Sequence, residues 1–219
     1  MLQHHLIYAT AAAAAYLIGA IPFGYLAVLL RTGKDIRTLG SGNIGATNVA
    51  RVLGTAWFIP VYMLDFLKSF SLVFWGAPWV AARWPCPVCS HLSTALAVLF
   101  GLTATLGHMF PVYLRFRGGK GVATVTGILL AMNWMALLGG MVVWILAFLP
   151  FRYISLASIA SAVAVPIVHH FTASRLGTSG QWIVTVFFTL ACLLVIVRHR
   201  SNIARLLAGT ETKVGRKDA

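Results

Sequence analysis

Long uncharged apolar runs alternate with short polar stretches along this chain, and the runs have the length of membrane helices rather than of strands or surface helices. Leu6 to Leu30 is 25 residues without a charge, enough to cross a bilayer with tilt. A second span runs from Trp57 to about Ala82 and is interrupted by Asp65 and Lys68, which share a helix face at this spacing and can neutralise each other. A third runs from Leu92 to about Leu106 and ends at Gly107-His108. Leu156 to Val168 and Trp182 to Val197 are the last two simple runs, and both are short.

The run from Val122 to Leu149 is 28 residues long, and its length alone leaves one long span or two short ones open. Charge decides between them. If it crosses once, the loop cations, Lys68 apart, divide eight to eight between the two sides. If it turns back near Asn133 to Gly140, they divide fourteen to two, with only Arg83 and Arg175 opposite. Cations collect on the cytoplasmic side of membrane proteins, which favours the turn. The fold class expected is therefore all-α and integral to the membrane, with seven transmembrane helices, the N-terminus outside and the C-terminus cytoplasmic. Leu6 to Leu30 is expected to remain as a span, since no cationic segment precedes it as in a cleavable signal peptide. Spans of 13 to 17 residues reach only about 20–25 Å as helices, against roughly 30 Å of hydrocarbon, so some are expected beside a thinned or wet cytoplasmic cavity. We expect one polytopic domain over residues 1–219, with residues 210–219 as a basic cytoplasmic tail.

Composition agrees with this pattern. Hydrophobic residues make up 59% and charged residues 10%, where soluble domains carry roughly a quarter charged. The net charge of +13 would suggest nucleic acid in a soluble chain, but here the cations sit between apolar runs and form no basic recognition face. Three cysteines are too few for a disulfide scaffold; Cys86 and Cys89 are read as a loop disulfide or free thiols rather than a metal site.

Three polar clusters interrupt the oil. The second, Arg115 to Gly121, puts three cations and three glycines into seven residues. Glycine lets backbone N–H groups approach an anion, Lys120 supplies a point charge, and a helix starting at Val122 would add its N-terminus. Gly121 follows Lys120 where a P-loop needs Ser or Thr, so no magnesium-binding hydroxyl is placed and a nucleotide triphosphatase is not expected. The blander reading is a cationic topology loop with a flexible tip. The first cluster, Arg31 to Thr55, holds Gly40-Ser41-Gly42-Asn43-Ile44-Gly45-Ala46-Thr47-Asn48 and Arg51, suited to binding phosphate oxygens, or else a turn with an N-cap at Thr47 or Asn48. The third begins at Arg198-His199-Arg200-Ser201-Asn202 and continues through Arg205 to Glu211. If helical, His199 and Asn202 share a face, and His199 can move a proton or donate to an anion; otherwise it is an interfacial histidine among anchoring cations. Glu211, among so many arginines, is read as a structural partner. Many cations, few carboxylates and no metal-ligand set imply a phosphate-bearing substrate and no cofactor or metal. A transporter for a phosphorylated anion is the rival, but it predicts polar lining through both membrane halves and repeated halves, and neither is seen.

Gly40 to Arg51, Gly107 to Thr124 and Arg198 to Glu211, about 44 residues in order, together resemble the PlsY family of bacterial acyl-phosphate:glycerol-3-phosphate acyltransferases. No histidine here is followed five residues later by aspartate, in keeping with that family's lack of the His-x4-Asp motif. The resemblance implies transfer of a fatty acyl group from acyl phosphate to the sn-1 hydroxyl of glycerol 3-phosphate, giving lysophosphatidic acid and phosphate, in the bacterial cytoplasmic membrane with the site facing the cytoplasm. The partners implied are those two substrates and membrane lipid, with no nucleic acid. On this basis Ser41, Lys120, His199 and Asn202 are the catalytic candidates. Gly40, Gly42, Asn43, Thr47, Asn48, Arg51, His108, Gly118, Gly119, Gly121 and Arg205 are the substrate-binding candidates. Lys120, Arg51, Ser41 and Asn202 are expected to hold glycerol 3-phosphate, and Gly42, Asn43, Thr47 and Asn48 to help cradle the acyl-phosphate head. Two proton acceptors stay open, His199 and a substrate phosphate oxygen.

Overall fold

The computed structural model describes residues 2–89, 91–173 and 181–215. Every regular element among the described residues is helical, and the chain falls into two compact units, Met1–Met132 and Asn133–Ala219.

The first unit contains α1 (Leu2–Ala20), α2 (Phe23–Thr32), α3 (Ala46–Leu53), α4 (Phe58–Ser71), α5 (Ala77–Arg83), α6 (Leu92–Met109) and α7 (Val122–Met132). α1 and α2 together make the first span, broken at Ile21-Pro22 because proline has no N–H and cannot continue the ladder. The break leaves the Ile21 carbonyl outside any helix, and Lys68 Nζ from α4 donates to it at 2.9 Å. A π turn over Leu72–Gly76 joins α4 to α5 as one span, Thr55–Arg83. Small residues let the helices close. Gly19 of α1 lies against the Ala104 backbone of α6, and Gly107 of α6 against the Tyr16 carbonyl, so a side chain at either would meet main chain. Ser69 Oγ of α4 donates to the Thr124 carbonyl of α7 at 2.8 Å, and Gly127 of α7 packs on the Phe66 carbonyl of α4. Cys86 and Cys89 are joined as a disulfide in the connection before α6.

The second unit contains α8 (Trp134–Phe151), α9 (Ile154–Thr172), α10 (Gln181–Arg198) and α11 (Arg200–Leu207). Gly139 and Gly140 of α8 meet Val168 and Val165 of α9, again trading side chain for close approach. Leu146, Leu149 and Phe151 on α8 and Phe171 on α9 stay exposed, as expected of surfaces that face lipid rather than water.

Among the described residues six spans are long and apolar enough to cross a membrane, and α7 is a seventh, shorter apolar helix. The expected division of Val122 to Leu149 is present: α7 ends at Met132, and Asn133 caps α8 by accepting the Ala136 N–H at 2.9 Å. The expected shortness is corrected. α9 has 19 residues and α10 has 18, because His169, His170, Thr172, Gln181 and Arg198 end the apolar runs but continue the helices. Among the described apolar spans α7 is the short one, with 11 residues and so about 16 Å. His169 is buried, its Nδ1 2.8 Å from Asn133 Nδ2. Within residues 210–215, Val214 N–H donates to the Arg152 carbonyl at 2.9 Å, and Lys213 lies 5.2 Å from the Tyr153 ring centre. Arg175, Arg216 and Lys217 lie outside the described residues.

Candidate active site

In the first unit the loop before α3 is organised by one buried side chain. Asn48 accepts the Ser41 N–H at 2.8 Å and donates both amide hydrogens, to the Leu39 carbonyl at 3.0 Å and the Asn43 carbonyl at 2.9 Å. All its principal polar capacity is therefore spent on the loop, so its task is to hold the loop's shape rather than to cap a helix. The cap of α3 is Gly45, not Thr47 or Asn48, and the Gly45 N–H is taken by Asn43 Oδ1 at 2.9 Å. Gly40 and Gly42 both have positive φ, which turns the chain around Ser41. Ser41 and Arg51 are left exposed and Thr47 half-buried.

The glycine-lysine loop is tied back onto the end of α6. Gly119 N–H donates to the His108 carbonyl at 3.0 Å, Phe116 N–H to the Pro111 carbonyl at 2.9 Å, and Tyr16 Oη holds the Phe110 carbonyl at 2.7 Å. Of the three glycines only Gly121 has positive φ, at 85°. Gly118 and Gly119 are required for a different reason: a Cβ on Gly118 would overlap the His108 carbonyl, and one on Gly119 would overlap His108 Nε2. The left-handed residues are Arg115 and Phe116, with φ of 53° and 62°, a strained pair that turns the loop at its entry. α7 starts directly after Gly121, so the first N–H groups of its dipole lie next to Lys120.

These two loops meet. Arg37 pairs with Asp35 at 2.6 Å and also donates to the Leu114 carbonyl at 3.2 Å, linking the first cluster to the entry of the second. The hydrogen bond from Arg37 holds the Asp35 carboxyl below its ordinary pKa range, so Asp35 stays charged and keeps Arg37 in place. Beneath them Val28, Ile36, Ile44, Val49, Val61 and Leu114 form one buried core. Ser41, Arg51, His108, Gly118, Gly119, Lys120 and Gly121 are thus brought into one unit. A groove of about 330 Å³ lined by Ile21, Pro22, Tyr25, Leu26, Tyr113 and Leu114 lies beside the loop entry.

A buried group that the apolar pattern only hinted at lies against this loop. Asp65 Oδ1 and Lys68 Nζ are 2.7 Å apart, and His108 Nδ1 is 3.2 Å from Lys68 Nζ and 3.5 Å from Asp65 Oδ1. Asp65 and Lys68 read as a pair closed on itself, and no sequence spacing linked them to His108. The available signal was that charges inside a span demand partners and that the next span ends in a histidine.

In the second unit the third cluster is arranged around Glu211. Buried beside α9, it accepts from Ser155 Oγ at 2.7 Å, Asn202 Nδ2 at 2.6 Å and Arg205 Nε at 2.7 Å. Burial raises the carboxyl pKa, but these three donors outweigh it and leave the value lowered. Glu211 is the structural partner its arginine-rich setting suggested, and Ser155 is a member that sequence alone did not single out. His199 is buried at the start of α11, with Nδ1 2.8 Å from the Val195 carbonyl. A carbonyl only accepts, so Nδ1 carries the hydrogen and Nε2 keeps its lone pair when the ring is neutral.

The chain is similar to known proteins. A family model described as glycerol-3-phosphate acyltransferase matches residues 9–209. Relatives carrying that name include one from Mesorhizobium japonicum, 41% identical over 92% of this chain and 93% of its own length. Another, from Staphylococcus aureus strain JH9, is 41% identical over 91% of this chain and 94% of its own. Two crystal structures of PlsY (YgiH), an integral membrane glycerol 3-phosphate acyltransferase, are similar in fold. The glycerol 3-phosphate form has a TM-score of 0.78 and 38% identity, covering 95% of this chain and 96% of that one. The lysophosphatidic acid form has a TM-score of 0.77 and 36% identity, covering 95% of each chain.

Proposed function

Because this chain belongs to the glycerol-3-phosphate acyltransferase family, we propose that it transfers a fatty acyl group from acyl phosphate to the sn-1 hydroxyl of glycerol 3-phosphate, yielding lysophosphatidic acid and inorganic phosphate. The observation that carries this reading is the junction in the first unit of two loops suited to phosphate, linked through Arg37 to Leu114, with an apolar groove at their side. Few soluble anions need oil beside them; an acyl phosphate does.

The substrate hydroxyl oxygen attacks the acyl carbonyl carbon, and as the tetrahedral centre collapses the bond from that carbon to the phosphate oxygen breaks. The phosphate leaves, and the hydroxyl proton goes to His199 Nε2 or to a phosphate oxygen. Lys120, Arg51 and Ser41 are assigned to the phosphate of glycerol 3-phosphate, with Gly118, Gly119 and Gly121 letting the backbone approach. Gly40, Gly42, Asn43 and Thr47 are assigned to the acyl-phosphate head, while Asn48 fixes their loop. From the second unit, Asn202 and Arg205 are assigned to substrate and His199 to the proton. N–H donors aimed at the developing oxyanion would carry much of the rate, and orienting two bound reactants can contribute several kcal/mol. The groove between Tyr25 and Tyr113 is assigned to the start of the acyl chain.

The protein is proposed to lie in the bacterial cytoplasmic membrane with its polar clusters on the cytoplasmic face, which the fourteen-to-two distribution of loop cations supports. The test is purified protein with glycerol 3-phosphate and either acyl phosphate or acyl-CoA, following phosphate release and lysophosphatidic acid. We expect product with acyl phosphate alone; product only with acyl-CoA would replace the donor, and none with either would remove the enzymatic reading.

A further inference from the structure

The group formed by Asp65, Lys68 and His108 takes no part in the chemistry above, yet it lies against the glycine-lysine loop. We propose that Lys68 is a positioning residue: acting through His108, it sets the polarity of the ring edge on which Gly119 rests and so fixes Lys120 for substrate phosphate.

An ammonium group has three hydrogens and no acceptor. Around Lys68 Nζ stand two fixed acceptors, Asp65 Oδ1 at 2.7 Å and the Ile21 carbonyl at 2.9 Å, and a third nitrogen, His108 Nδ1 at 3.2 Å, which accepts only when the ring hydrogen is elsewhere. The Phe23 ring, with its centre 5.5 Å away, closes another side. For the third hydrogen to be used, Nδ1 must present its lone pair, which puts the ring hydrogen on Nε2. A hydrogen on Nδ1 would set two donors face to face at 3.2 Å, with the carboxylate farther off at 3.5 Å. An imidazolium would add a second cation against one carboxylate in a buried site, where repulsion is poorly screened. The geometry selects a neutral ring with Nε2–H.

That edge faces the loop. A Cβ on Gly119 would overlap Nε2, and the His108 carbonyl already holds the Gly119 N–H at 3.0 Å. Residue 108 therefore meets residue 119 through both its backbone and its ring. Take Lys68 away, and Nδ1 is free to take the hydrogen and offer it to Asp65; Nε2 then becomes an acceptor on the loop side. The loop would have to move to suit the reversed edge, and Lys120 would move with it.

The kinetic consequence rests on the proposed role of this loop in holding glycerol 3-phosphate; the state of the ring does not. Two measurements separate them. The first is ¹⁵N NMR of the full-length protein labelled at histidine, in micelles, with the His108 signals assigned by their loss in His108→Gln. A neutral ring with its hydrogen on Nε2 at neutral pH is expected; a hydrogen on Nδ1, or a cationic ring, overturns the proposal. The second is the double variant Asp65→Leu, Lys68→Met, which removes both charges and so strands neither in the membrane. Its KM for glycerol 3-phosphate should rise about tenfold, the scale of one misplaced hydrogen bond, with kcat changed no more than about threefold. An unchanged KM, or a loss confined to kcat, overturns the proposal. Should the double variant fail to fold, the wild-type NMR result decides alone. If the wild-type protein turns over no glycerol 3-phosphate, it is the loop's assigned substrate that fails, and the ring measurement still judges the tautomer.

Discussion

Asn202 Nδ2 donates to Glu211 Oε1 at 2.6 Å, a contact that joins the buried Asn202 of α11 to the segment following the helix. Glu211 also holds Ser155 and Arg205, so Glu211→Ala would strand two buried donors and free a half-exposed arginine. The variant should be destabilised by about 3 kcal/mol, read as a lower midpoint in thermal unfolding of the micellar protein. Glu211→Gln, which retains one acceptor oxygen, should fall between that variant and the wild type. If Glu211→Ala melts like the wild type, the carboxylate is not a structural centre of this cluster.

The same carboxylate makes stability depend on acid. Burial raises its pKa, but the bonds from Ser155, Asn202 and Arg205 prevail, and the folded-state value is lowered. A lowered folded pKa means that the unfolded chain binds the proton first, so this stabilisation is complete above the ordinary glutamate pKa and is lost as pH falls through the folded value. Thermal midpoints should hold from neutrality down to the ordinary carboxylate range and drop below it. In Glu211→Gln the drop should be shallower by the share due to this group. An equal slope in both proteins would assign the acid sensitivity elsewhere.

Lys120 is half-buried at the end of a loop tied to α6, with the N-terminus of α7 directly after it. The role proposed for it is to hold an anion rather than the fold. Lys120→Ala should raise KM for glycerol 3-phosphate by tenfold or more, about the loss of one charge-assisted hydrogen bond, while the melting midpoint shifts little. A variant that melts early and shows no selective kinetic defect would make the lysine structural.

Two glycines with different reasons for being glycine should behave differently. Gly119→Ala drives a methyl into the His108 ring, so the loop must shift, and KM for glycerol 3-phosphate should rise. Gly33 ends α2 with φ of 69° and has nothing near its missing Cβ, so Gly33→Ala should cost only about 1 kcal/mol of stability and leave KM alone. Equal effects on KM would mean that the contact with His108 does not govern the loop.

Much of this arrangement was legible because charge is scarce here and therefore informative. Each polar cluster marked a break between spans, and the imbalance of cations divided Val122 to Leu149 by a turn near Asn133 to Gly140, the stretch at whose start Asn133 separates α7 from α8. The ends of α9 and α10 were illegible by the same token, since hydropathy reports where oil stops and not where a helix stops. The role of Asn48 was hidden because a loop amide reads equally as cap, ligand or internal brace; only the three distances around it choose the brace. His108 and Lys68 are 40 residues apart, and their contact depends on how α4 and α6 pack, which no local pattern encodes.

The last prediction concerns the proton. His199 Nδ1 is 2.8 Å from the Val195 carbonyl, which fixes the ring's orientation and leaves Nε2 as its basic atom when neutral. A general base contributes typically 10²–10⁴-fold, so if His199 takes the hydroxyl proton, His199→Ala should lower kcat by about that factor. It should also abolish the acidic limb of the pH profile that titration of the base would give. If a phosphate oxygen takes the proton, the variant should lose only what orientation supplied. The limb would then follow the ionisation of the substrate phosphate and shift with a substrate analogue of different phosphate pKa. Measuring kcat against pH for the wild type and His199→Ala therefore separates the two: a retained profile with near-normal turnover removes His199 as the base, and a flattened profile with a large loss assigns it.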